Sequence, residues 1–256
     1  MKKIIKGLLL FIVALVVFLI ATLPVNVVIP RLPKNLPVAL SGAEGSVWRG
    51  KAAQLSVNRQ PLGALEWTIH PASLLLARLN ADFKLTGDGL RAKGNATVKM
   101  DKTVVLGRTL IDADVGKLPL PPQAEMVSPE GKINATVRSL SLRDRRILDA
   151  DADILWNPAR ITATSPLDLG QIELKVTGKD GALNGALDSK NGPLTARGKI
   201  DISPDGLLKA NIRLAPHERT PAEIRDMLPM IGRPDRSGAV AINQQMKIPG
   251  WPGPAK

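Results

Sequence analysis

The sequence predicts a mainly β protein: an N-terminal single transmembrane helix, then a curved antiparallel β-sheet built as a meander, open groove or half-barrel, with one short C-terminal helix. Three observations predict it. An uncharged apolar run comes after three leading lysines, apolar and polar residues alternate with a period of two through most of the remaining chain, and turn residues separate the alternating stretches.

Lys2, Lys3 and Lys6 precede the run that begins at Gly7 and passes Leu23, and no charged side chain appears until Arg31. At a rise of about 1.5 Å per residue, residues 7–28 are long enough to cross a hydrocarbon core about 30 Å thick. Basic residues before the run and none directly after it keep the N-terminus cytoplasmic and export the body. A cleaved signal peptide has a shorter apolar region and small residues before its cleavage site, whereas Ile20 and Leu23 are large. Residues 1–30 therefore read as a cytoplasmic tip and uncleaved signal anchor, marked by Lys2, Lys3, Lys6, Gly7 and Leu23, and residues 31–256 as an exported β domain.

The absence of cysteine excludes a disulfide framework and thiolate chemistry, so the fold must hold by burial. The 256 residues, less the anchor, suffice for one substantial core, which is the expectation. A formal charge of +12 favours anionic headgroups or acidic partners. Nucleic acid is not an expected partner: the body is exported, there is no Tyr, and Phe83 is the one Phe beyond the anchor.

In residues 79–85, Leu79, Ala81, Phe83 and Leu85 share one face while Asn80, Asp82 and Lys84 share the other, the pattern of a half-buried strand. The alternation recurs in residues 133–138, 148–156, 172–176 and 208–214. Turn signals at Gly87-Asp-Gly89, Lys179-Asp-Gly181, Asn191-Gly-Pro193 and Pro204-Asp-Gly206 join them into an antiparallel meander with one solvated face. A weak internal repeat relates residues 42–116 to residues 129–215. Between them, residues 117–123 form a proline-rich extended connector. Near the end, Thr220 as cap, Pro221 at the first position and Glu223 three beyond the cap form a capping box. The helix it starts should bury Ile224, Met227 and Leu228 and close at Pro229 and Gly232. A last strand then turns Val240, Ile242, Gln244, Met246 and Ile248 inward.

Little in the chain points to chemistry. His70 and His217 are the only histidines and lie in no triad-like context, and His70 reads as a strand-end residue. Asp149, Asp151 and Asp153 resemble a calcium run, but Ile154 and Arg160 stand where such a loop needs Gly and Glu. They belong to the solvent face of a strand. The sequons at Asn95 and Asn134 lie mid-strand. Trp48, Trp67 and Trp156 read first as apolar anchors of the sheet and second as ligand-stacking groups. No catalytic residue, metal site or cofactor is expected.

The anchor, Gly42-Ala-Glu-Gly-Ser-Val-Trp-Arg-Gly50, Leu65-Glu-Trp-Thr-Ile-His-Pro71, Asp153-Ile-Leu-Trp-Asn-Pro158, Asn191-Gly-Pro-Leu-Thr-Ala-Arg-Gly198 and the run Leu228-Pro-Met-Ile-Gly-Arg-Pro-Asp-Arg-Ser-Gly238, in that order, resemble the type II secretion system protein N family. The resemblance implies a non-enzymatic, single-pass accessory component of the general secretion pathway in the inner membrane, with its body in the periplasm. Its partners would be other secretion components there, and membrane lipids. A more distant resemblance to curved β-groove proteins of the AsmA type implies an alternative, a lipid-binding or lipid-carrying envelope protein. The positions that transfer are Gly45, Trp48, Gly50, Trp67, Pro71, Trp156, Gly232 and Gly238, read as architectural.

Overall fold

The computed structural model describes residues 18, 22–31, 38–118, 128–144, 146–162, 166–248 and 251. Lys2, Lys3, Lys6 and Gly7 of the expected anchor, and residues 119–123 of the expected proline-rich connector, lie outside them. Among the described residues no helix is long and apolar enough to cross a membrane.

Alternation of residue character yields thirteen antiparallel strands among the described residues, in two compact units that divide at Asp88 and Gly89. The first unit holds β1 (Val38–Gly45), β2 (Arg49–Val57), β3 (Gln60–His70) and β4 (Arg78–Thr86), preceded by the one-turn helix α1 (Val25–Val28). The second holds β5 (Leu90–Lys99), β6 (Val104–Asp114), β7 (Ser128–Arg143), β8 (Arg146–Thr162), β9 (Pro166–Lys179), β10 (Ala182–Lys190), β11 (Leu194–Ile202), β12 (Leu207–Pro216), helix α2 (Ala222–Ile231) and β13 (Val240–Lys247). Within each unit the strands lie side by side in chain order, so each sheet is an open meander. Tight turns enforce this order. Asp180 and Gly181, at φ 53° and 85°, are the two central residues between the paired Lys179 and Ala182, as a primed hairpin turn requires.

All five stretches read as strands are strands, and His70 ends β3. Coverage is sparse. In β7 the apolar set Ile133, Ala135 and Val137 is half-buried and the intervening polar set exposed. The second unit's buried cluster is small: Leu228 of α2 packs with Leu194 and Val240, joined by Leu214 and Ile224.

The C-terminal elements depart from expectation in four ways. Thr220 caps nothing, because its hydroxyl donates to the Pro193 carbonyl at 2.6 Å and accepts from the His217 amide at 2.8 Å; Pro221 takes the cap position without a side-chain bond. Pro229 does not close the helix but lies inside it, and Gly232 is the cap. Met227 turns outward at 52% exposure. On β13 the inward set holds for Val240, which α2 covers, and for Ile242, whereas Gln244 and Met246, farther along the strand from α2, are exposed.

Candidate functional site

The registers bring aliphatic residues into line across the second unit. Ala92 lies opposite Ile111, which continues through Ala135, Ile154, Leu174, Leu187, Gly198 and Ile212 to Ile242, one residue from each of nine strands. A flanking row runs Val137, Ala152, Val176, Gly185, Ile200 and Ala210, and another runs Leu106, Leu140, Ala150, Gly178, Leu183, Ile202 and Leu208. No side chain in these three rows is polar. With strands about 4.8 Å apart, the face measures about 38 Å from β5 to β13 along the sheet. Every member of the central row is half-buried and none is buried. Helix α2 covers one corner, through Leu228 and Ile224 on Leu194, Leu214 and Val240.

The opposite face carries charges paired across strands. Arg138 bonds both Asp151, at 2.7 Å from Nε, and Asp153. Those bonds hold both carboxyls below the usual carboxylate range and raise the guanidinium. Asp149 accepts from the Ser139 hydroxyl at 3.1 Å. The three aspartates thus occupy the polar face of β8, and among the described residues no group of acidic or histidine side chains is arranged to hold a metal ion. Lys190 meets Glu173 at 2.9 Å, and Arg197 meets Asp188 at 2.8 Å. His70 meets Asp82 at 2.7 Å on the first unit, while His217 bonds the Gly192 carbonyl at 2.9 Å.

The motif residues lie in strands, in turns and at the end of α2. Trp67 donates from its indole to the Val47 carbonyl at 3.0 Å, and its ring lies over Gly50, where a Cβ would come within 2.4 Å of Cζ2. Gly45 has φ 94° and faces the Arg49 carbonyl. The Trp48 carbonyl accepts from the Ile69 amide at 2.6 Å, and Pro71 opens the 3₁₀ turn Pro71–Leu76 that leads to β4. Trp156 repeats the device of Trp67 by donating to the Glu130 carbonyl at 2.9 Å, beside Gly131 at φ 113°. Sequence pattern alone gives Gly131 no role, although its place just before an alternating stretch is visible there. Gly232 leaves room for Val240, and Gly238, at φ 76°, closes the turn that Asp235 holds together. That carboxyl accepts from the Ser237 hydroxyl and amide and the Ala239 amide, with Arg213 at 2.7 Å, and these contacts lower its pKa to about 2.

Of the residues expected to mark an anchor, Leu23 is described. Its carbonyl accepts from the Val47 amide at 2.9 Å, and Pro24 bridges to Ser46. An open hollow of about 630 Å³ in the first unit is lined by Gly45, Gly50, Trp67, Thr68 and Phe83 and by the charged residues Glu44, Arg49, Lys51, Glu66, Asp82 and Lys84. The period-of-two reading also misses an exposed tip at Leu74, Leu75 and Leu76, whose signal is three leucines in succession breaking the alternation.

Residues 37–243 match the family model described as type II secretion system (T2SS), protein N. The chain is 26% identical over 258 residues to the type II secretion system protein N of Vibrio cholerae serotype O1, covering 97% of this chain and 100% of that one. It is 27% identical to the protein of the same name from Aeromonas hydrophila, over 93% of this chain and 96% of that one, and 26% identical to that from Klebsiella pneumoniae, over 78% and 80%. No solved structure matches.

Proposed function

From the premise that this chain belongs to the type II secretion system protein N family, and is thereby a component of a protein-secretion pathway, we propose that it works as a non-enzymatic accessory at the inner membrane, with its β domain docking other secretion components. The observation that carries this reading is the outer edge of β13. Among the described residues β13 has β12 as its one strand neighbour, and only its start is shielded, where Pro234 bridges to Val240 and the Asp235 amide donates to the Ala239 carbonyl. From Ala241 to Lys247 the edge offers backbone donors and acceptors to an added strand. The cross-strand pairing of the charged side chains supports a binding part over a catalytic one. A photo-crosslinker at Asn243 or Gln245 of the full chain in its own cells is expected to capture another secretion component in one dominant adduct. Absence of any protein adduct from both positions would refute edge docking.

A second reading, a lipid-binding or lipid-carrying envelope protein, is favoured by the apolar face. Monomeric proteins rarely leave an apolar patch larger than about 300–600 Å² without a use for it. Phospholipid retained by the protein through mild detergent purification, and reduced by Leu174→Lys on that face, is the expected result on this reading; equal retention by both proteins would refute it.

A further inference from the structure

We propose that the Leu74, Leu75 and Leu76 tip inserts into the lipid bilayer beside the point where the N-terminal apolar run meets the β domain; this rests on the membrane placement proposed above. Leu74, Leu75 and Leu76 are 47%, 89% and 65% exposed, three consecutive aliphatic side chains on one turn. Isolated exposed leucines are ordinary, but a run of three is not.

The turn is built to keep them out. Ser73 is buried, donates to the His70 carbonyl at 2.6 Å and accepts from the Asn80 amide at 3.0 Å, tying the start of the turn to both β3 and β4. Ala77 adopts a left-handed conformation at φ 52° and closes the turn by donating to the Leu74 carbonyl. These ties fix the turn at both of its ends, with the three leucines between them.

Chain order fixes where the tip lies. In an antiparallel meander the connection after β1 and the connection after β3 fall at the same end of the sheet, and the Ile69 amide bonds the Trp48 carbonyl there. The β1–β2 turn at that end also holds Leu23 and Pro24, which lie in the uncharged stretch that precedes Arg31. If the apolar run that begins at Gly7 enters a bilayer, the tip lies at the end of the sheet where that run arrives. Trp48 at the same end is an interfacial residue type, and the exposed Arg78 next to the tip suits lipid phosphates. A protein partner fits less well, because a stable interface takes about 800 Å² from each side and a three-residue convex tip offers far less.

The chain has no cysteine, so one introduced thiol is the only one. The full protein carrying Leu75→Cys, labelled with an environment-sensitive dye and reconstituted into vesicles of phosphatidylethanolamine and phosphatidylglycerol, should show blue-shifted emission quenched by lipids bearing a nitroxide near the headgroup. The same dye on Gln60→Cys, at the opposite end of β3, should stay water-like and unquenched. A third label on Phe18→Cys reports the apolar run itself. Quenching at 18 with water-like emission at 75 would overturn the tip alone, and water-like emission at both would overturn the membrane placement beneath it.

Discussion

Gly50→Ala tests whether the first unit is locked by an indole laid on a glycine. The new methyl carbon would lie 2.4 Å from Cζ2 and 2.9 Å from Cε2 of Trp67, and 2.8 Å from the Glu44 carbonyl oxygen. Optimal carbon–carbon separation is about 3.5–4.0 Å, so the ring must withdraw by about 1 Å, and its 3.0 Å bond to the Val47 carbonyl fails. Overpacking costs about 1–3 kcal/mol and the lost hydrogen bond about 1 kcal/mol, against a gain of about 0.4–1 kcal/mol from the stiffer unfolded chain. The net loss is about 2 kcal/mol, which should speed amide exchange in β1, β2 and β3 about 30-fold where exchange follows opening of the unit. Hydrogen exchange by mass spectrometry on the full chain measures it. Trp67→Leu removes the ring, so the double variant should cost less than the sum of the singles by about 1 kcal/mol or more, short of full rescue because the Glu44 carbonyl still crowds the methyl. Additivity of the two changes, or exchange in Gly50→Ala within threefold of the parent, would refute the lock.

Leu228→Ala empties the buried contact of α2 with Leu194 and Val240 and should cost about 2–5 kcal/mol, read as faster exchange across residues 222–231 while β5 to β9 keep their protection. Replacing Asp149, Asp151 and Asp153 together with Asn should leave the fold and calorimetric calcium titrations unchanged; a saturable calcium heat in the parent that disappears in the variant would overturn their assignment to the polar face. Asp235 has its pKa lowered to about 2 by the Ser237 and Ala239 donors and Arg213. Its contribution is therefore full above the ordinary carboxylate value near 4 and falls away as pH drops through about 2. Exchange in residues 233–240 should accelerate over that window in the parent and show no such step in Asp235→Asn.

Strand identity is legible because a sheet with one wet face writes its period into the sequence, as residues 79–85 show. Of the motif residues, Gly50 and Trp67 lie opposite one another on facing strands and fit each other's shape, a pairing across 17 residues that the motif spacing does not announce. The capping box misleads, because Thr220 satisfies the spacing of a cap while the Pro193 carbonyl, 27 residues earlier, offers its hydroxyl a better partner. Spacing along the chain cannot register a competitor so distant in sequence. The leucine tip escapes for the opposite reason: it is local, but it falls between strands, where a search for alternation has nothing to match.

Alternation also leaves open what covers the inward face, because a half-buried strand reads the same under a second sheet as under none. The glycines of the apolar rows supply what the period does not. A Cβ on Gly178 would come within 2.5 Å of Leu183 Cδ2, one on Gly185 within 3.1 Å of Leu174 Cδ1, and one on Gly198 within 3.0 Å of Ile212 Cγ1. In each case the nearest side-chain atom is aliphatic and belongs to a neighbouring strand, so the space a Cβ would take at these three positions is filled from within the layer. An aliphatic face suits partners that need area and no fixed register, such as acyl chains, whereas the edge of β13, open among the described residues from Ala241 onward, suits a partner strand that needs both. The two readings of this protein thus call on different surfaces of the same sheet, and a change confined to one need not disturb the other.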